Sequence, residues 1–202
     1  MINNIKYFFQ FVLIVIFFCC FKIFGLNISS YIGGIFGNLL GPFFRSKIII
    51  ETNIERALPN LNETKKKEII FQMWNNYGRI LSEYMFLKKF RNNEMKHALE
   101  ISGKEILEQI KKEKKPVIFV SGHFNNFELM AMQIEKSGID LAAIYRPLNN
   151  FFVNIIMEKI RKKYICRNQV KKGKAGIRVA LSLFKKGNSI ALMIDQRVSE
   201  GI

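Results

Sequence analysis

The sequence predicts an α/β fold: a central, mostly parallel or mixed sheet flanked by helices, behind an N-terminal membrane helix. Three observations predict it. Short continuous apolar runs, bounded by Gly, Pro or polar residues, occur at 116–122, 141–145 and 189–194, which is how strands buried on both faces read. Segments with apolar residues at helical spacing lie between them. Ahead of both stands a stretch of 20 residues, 7–26, in which only Gln10 and Lys22 are strongly polar.

That stretch, YFFQFVLIVIFFCCFKIFGL, would be about 30 Å long as a helix, the thickness of a bilayer core. Lys22 sits near one end, where its stem can snorkel to the headgroups. A cleaved signal peptide is disfavoured: no small-residue cleavage site follows. The expected division is therefore a transmembrane anchor over 1–26 and a catalytic or binding domain over 27–202. Residues 27–44 set Gly33, Gly34, Gly37, Gly41 and Pro42 among large apolar residues. They read as a second membrane-contacting stretch or a surface helix, with the glycines and the Gly41-Pro42 stop arguing against a second clean span.

In the body, Ile69, Ile70, Met73, Trp74, Tyr77, Ile80, Leu81, Tyr84 and Met85 form one helical stripe over 63–90. Helices are also predicted over 125–137, 150–164 and 174–186. Helices alternating with buried strands give a sheet packed between helical layers. Three strands are few for such a sheet, so the chain is expected to be incomplete at its C-terminus.

Composition narrows the function. With 202 residues, 49% of them apolar and 24% charged, a packed core forms and global disorder is excluded. Lys and Arg number 32 against 16 acidic residues, a net charge of +16. Such a balance suits an anionic membrane surface, an acidic protein or a phosphorylated substrate. Nucleic acid is not expected, because no zinc-finger, RNP-like or KH-like pattern is present. Cys19 and Cys20 lie in the apolar run and Cys166 is alone, so no disulfide framework is indicated. His97 and His123 are the only histidines and have no metal-ligand spacing. No cofactor is expected, and His97 reads as a surface residue.

In open α/β sheets, ligands bind beyond the carboxyl ends of the strands. Three such ends carry polar residues here: Ser121-Gly122-His123, Arg146-Pro147 and Asp195-Gln196. The first is followed by Phe124-Asn125-Asn126-Phe127-Glu128. Five residues turn through about 500° on a helix, so His123 and Glu128 would not share a helical face. With His123 on the turn before the helix, the chain doubles back and the pair can meet. A carboxylate on one ring nitrogen fixes the tautomer and leaves the other nitrogen to take a proton from a hydroxyl.

The segment SGHFNNFE resembles the H-x4-D/E motif of glycerolipid-type acyltransferases. Within them it is most similar to the lauroyl/myristoyl acyltransferases, the late acyltransferases of bacterial lipid A biosynthesis. The resemblance extends to the N-terminal apolar helix, to NIERALPNL and the amphipathic helix after it, to IYRPLNNFFVNIIMEKIR and to KKGNSIALMIDQ. It rests on the ordered set His123, Glu128, Arg146, Arg161 and Asp195. Phe-Asn-Asn-Phe stands where many relatives have Phe-Gly-Asn-Trp, and relatives are longer.

The resemblance implies a glycerolipid acyltransferase-like fold and transfer of a fatty acyl chain from an acyl carrier protein or CoA thioester to a hydroxyl of a lipid A precursor. The place implied is the cytoplasmic face of the inner membrane. His123 would be the general base with Glu128 as its partner, and Arg161 would stabilise the thioester oxyanion or hold an anionic group. Asp195, at the rim, is a candidate for substrate binding together with Arg146 and Asn126. Two alternatives stay open: a lysophospholipid-type acyltransferase, and a nonenzymatic, membrane-tethered basic binding protein.

Overall fold

The computed structural model describes residues 2–195. The chain forms two compact units, Met1–Ile14 with Leu87–Ile202, and Val15–Phe86. The first turns of the N-terminal helix belong with the sheet-bearing unit.

Among the described residues, that unit is built on four parallel strands, β1 (Ile118–Ser121), β2 (Leu141–Tyr145), β3 (Asn168–Lys171) and β4 (Ser189–Met193), in the order β1-β4-β2-β3. Of these, β1, β2 and β4 lie where the apolar runs predict strands. Among the described residues the sheet is parallel throughout rather than mixed, and β3 is an addition: Asn-Gln-Val-Lys carries no apolar run, and it pairs only with β2, at the sheet's edge. Its single buried member is Val170.

The strands are joined by α6 (Glu128–Lys136), α7 (Phe151–Tyr164) and α8 (Lys174–Lys185). From β1 to β2 to β3 the chain steps one way along the sheet, and from β3 to β4 it steps back. Right-handed crossovers then place α6 and α7 on one face and α8 on the other. Under α8, Ala142, Val170, Ala180 and Ile190 close the core, with Leu183, Phe184 and Leu192 packed around them. The small alanines let helix and sheet approach. Met132 of α6 and Leu141 of β2 are buried too. The short helices α4 (Leu87–Arg91) and α5 (Lys104–Glu113) complete the unit; α4 packs on α6 and α7. Asn150 caps α7 by accepting the Val153 N–H, while its amide donates to the Tyr7 carbonyl at 2.8 Å. Phe152 meets the rings of Phe8 and Phe11. Residues 7–11 are thus fastened to the start of α7.

The other unit holds the remainder of α1 (Ile2–Leu40), with α2 (Lys47–Ala57) and α3 (Glu63–Glu83). The expected apolar helix is present, but it does not run straight. Gly25 has φ 77° and ψ 170°, a backbone region open essentially to glycine alone. Beyond it the chain folds back: the Ser29 hydroxyl donates to the Phe21 carbonyl at 2.5 Å, and the rings of Phe17 and Phe36 meet at 5.1 Å. On a straight helix those rings would be about 28 Å apart. Residues 15–24 and 26–40 are therefore the arms of a helical hairpin.

The glycines of the second arm have a packing use. A Cβ on Gly78 of α3 would collide with the Gly33 carbonyl, and one on Gly37 with the Trp74 carbonyl. Gly33 and Gly37 bring the arm into backbone contact with α3, and Gly41, four residues on, lies against the Trp74 ring. The stripe expected over 63–90 is divided: α3 ends at Glu83, one 3-10 turn follows, and α4 starts in the other unit.

Candidate active site

The site forms where strands β1 and β4, adjacent in the sheet, end side by side. The Ile194 N–H donates to the Ser121 carbonyl at 3.0 Å, carrying the pairing past the last ladder residues. After Ser121 the backbone reverses within three residues, with the Phe124 N–H donating to the Gly122 carbonyl at 2.9 Å. His123 stands at the apex of that turn. Gly122 keeps the space beneath it open: a Cβ there would lie 2.9 Å from the Phe124 ring and 3.3 Å from the Asp195 carboxylate.

Asp195 holds the histidine twice. Oδ2 accepts the His123 backbone N–H at 2.7 Å, and Oδ1 lies 2.8 Å from Nδ1 of the ring. A carboxylate can only accept, so Nδ1 carries the proton and the lone pair is on Nε2. The backbone bond, followed by the ring's bond and charge, keeps the Asp195 carboxyl below its ordinary range. Phe127 stands edge-on to the imidazole at 4.7 Å and limits its rotation.

This differs from the pairing expected from sequence. The carboxylate on the imidazole is that of Asp195, 72 residues away, whereas Glu128 is bound by Arg161. Arg161 donates from Nε at 2.7 Å and approaches with Nη2 at 2.6 Å, both to Oε1. The Glu128 and Arg161 side chains are only 7% and 13% exposed, so the pair is a buried ion pair. Glu128 is the first residue of α6, so its carboxylate also complements the positive end of the helix. The Arg161 guanidinium lies over the Tyr145 ring at 5.7 Å. Burial, with Glu158 nearby, pushes the Tyr145 phenol up to about 12, so it stays neutral near pH 7.

These groups line a cavity of about 250 Å³. His123, Glu128 and Arg161 share its wall with Arg146, Tyr145 and Lys172, and Ala131, Ala143 and Leu192 make its apolar side. Arg146 and Lys172 arrive from the ends of β2 and β3. Asn126 is half-buried in the turn before α6 and is not among the lining residues. Among the described residues no cluster of His, Cys, Asp and Glu fits a metal ion. Burial pushes the Cys166 thiol up to about 11, which leaves it protonated and a poor nucleophile. His97 is exposed, as expected.

An oriented imidazole over a partly apolar cavity rimmed with cations fits the chemistry of acyl transfer. The family model for bacterial lipid A biosynthesis acyltransferases matches residues 2–201. The chain belongs to that family. A search of curated proteins gives no match. The arrangement offers a lipid A acyltransferase an imidazole of fixed tautomer, an apolar wall and the basic lining residues Arg146 and Lys172. Sequence reasoning missed Lys172, which follows a polar strand and belongs to no motif. It also missed the role of Asp195, which depends on strand order.

Proposed function

We propose that the protein transfers a fatty acyl chain from an acyl carrier protein or CoA thioester to a hydroxyl of a lipid A precursor, at the cytoplasmic face of the inner membrane. The observation that carries this reading is the imidazole held at two points by Asp195 over the cavity. Nε2 of His123 takes the proton of the acceptor hydroxyl as its oxygen attacks the thioester carbonyl. Collapse of the tetrahedral intermediate breaks the carbon–sulfur bond. The leaving thiolate takes the proton from the imidazolium, giving an ester and a free thiol.

Asp195 stabilises the imidazolium between the two proton transfers. The Glu128–Arg161 pair braces the cavity wall it shares with the histidine, and Arg146 and Lys172 supply positive charge for an anionic group of donor or acceptor. A thioester needs no covalent enzyme intermediate to react with an activated hydroxyl, consistent with the protonated state of Cys166.

The experiment is transfer of labelled acyl groups from acyl carrier protein and from CoA to lipid A precursors and to lysophospholipids, with the product mass measured. Wild type should acylate the lipid A precursor, and His123→Ala should lose ~10²–10⁴-fold in turnover. A product formed only on lysophospholipids would move the enzyme to the other acceptor class. Undiminished transfer by His123→Ala would overturn the mechanism.

A further inference from the structure

We propose that residues 15–44 form a helical hairpin embedded in one leaflet of a bilayer with anionic headgroups, leaving on the face it entered, instead of spanning the membrane. This rests on the membrane setting of the proposed function but concerns topology. The turn at Gly25, the Ser29–Phe21 hydrogen bond and the Phe17–Phe36 contact bring the second arm back along the first. Each arm is too short to cross. Residues 12–24, beyond the turns fastened to α7, would rise about 20 Å and residues 26–40 about 22 Å, against a core of about 30 Å.

The outward surface is fit for lipid. Ile16, Ile23 and Phe24 on the first arm and Ile28, Tyr31, Ile35 and Leu39 on the second are all exposed, Ile23 by 81%. From Tyr7 to Phe44 the only charged residue is Lys22. It lies roughly 120° around the helix from Ile16 and about 100° from Ile23, off the apolar face. A span would place that ammonium at the far interface, whereas a hairpin lying along one leaflet leaves it among the headgroups of the near one. Lys6, Arg45 and Lys47 border the apolar stretch and match an anionic surface. The N-terminal turns settle the sidedness: residues 7–11 are bonded and packed to the start of α7, so the N-terminus is on the side of the catalytic unit.

The full chain, with Cys19→Ser and Cys20→Ser, would carry either Asn4→Cys or Lys112→Cys, both exposed positions. Each variant is expressed in a bacterial host. A membrane-impermeant maleimide is then applied to right-side-out and inside-out membrane vesicles, with an alkaline carbonate wash in parallel. The expected result is labelling of both positions from the same side, on a protein that resists the wash. Labelling of Asn4→Cys from the opposite side to Lys112→Cys would overturn the inference in favour of a single span, and release by the wash would overturn it in favour of peripheral binding. An inactive enzyme with same-side labels would count against the proposed reaction alone; an active one with opposite-side labels, against the hairpin alone.

Discussion

The Asp195 carboxylate bridges two groups of one residue, the backbone N–H and the ring Nδ1 of His123, at 2.7 and 2.8 Å. This makes the effect of an Asp195→Asn substitution specific. The backbone N–H can only donate, so the new side-chain amide would give it the carbonyl oxygen and turn its NH₂ toward Nδ1. The ring proton would move to Nε2, where the lone pair is needed. Asp195→Asn should therefore lower turnover by ~10²–10⁴-fold with little change in KM. A raised KM at unchanged turnover would remove Asp195 from the proton path.

The ion pair between Glu128 and Arg161 has a different signature. Removing one member leaves the other buried and uncompensated, at about 3–5 kcal/mol. Glu128→Gln should lower the urea midpoint clearly, and adding Arg161→Met should restore much of the loss. If Glu128→Gln kept full stability and lost only turnover, the residue would be acting on the histidine after all.

Acid should dissolve the His123–Asp195 link in one direction. The folded Asp195 carboxyl is held below the ordinary value of 3.8, so its contribution is complete above that value and is lost as pH falls through the folded one. The stability difference between wild type and Asp195→Asn should be constant above about pH 5 and shrink below about pH 4. Urea midpoints across that range measure it. A difference that grew on acidification would contradict the sign.

Thiol labelling in detergent should separate the three cysteines. Cys19 and Cys20 are exposed and Cys166 is buried, so intact-protein mass should show two modifications in the native state and three after unfolding. Cys166→Ala should leave turnover nearly unchanged, and a large loss would argue for a covalent step.

Close helix contact in the hairpin unit is open to a single methyl. Gly78→Ala drives a Cβ at the Gly33 carbonyl, a backbone atom with little room to move. A destabilisation of about 1–3 kcal/mol is expected, read as a lower thermal midpoint. An unshifted midpoint would mean the helices separate without cost.

The sheet was legible because residues 116–122 and 189–194 are mostly apolar: β4 is buried over Ser189–Ala191, as an inner strand must be, and β1 keeps its apolar run although Ile118 and Val120 are exposed at the edge. The fourth strand was not, since an edge position lets Asn168, Gln169 and Lys171 stay outside the core. His123 could be read from its place between strand and helix. Its partner could not, because Glu128 is close in sequence while Asp195 is brought near only by β4 lying beside β1. The hairpin escaped notice for a related reason: Gly25 interrupts nothing in hydropathy and shows itself only in a backbone angle. Its neighbours did carry a signal, the four-residue spacing of Gly33, Gly37 and Gly41, which marks a close helix contact as readily as a broken span.

Strand β4 follows β1, β2 and β3 in the chain, yet it takes the second place in the sheet, between β1 and β2. Until it slots in, those two have no hydrogen-bonded neighbour in common and the imidazole stays unsteered. A nascent chain thus exposes both N-terminal apolar arms well before its last strand pairs, so that the hairpin emerges ahead of the assembled site in the order of synthesis itself.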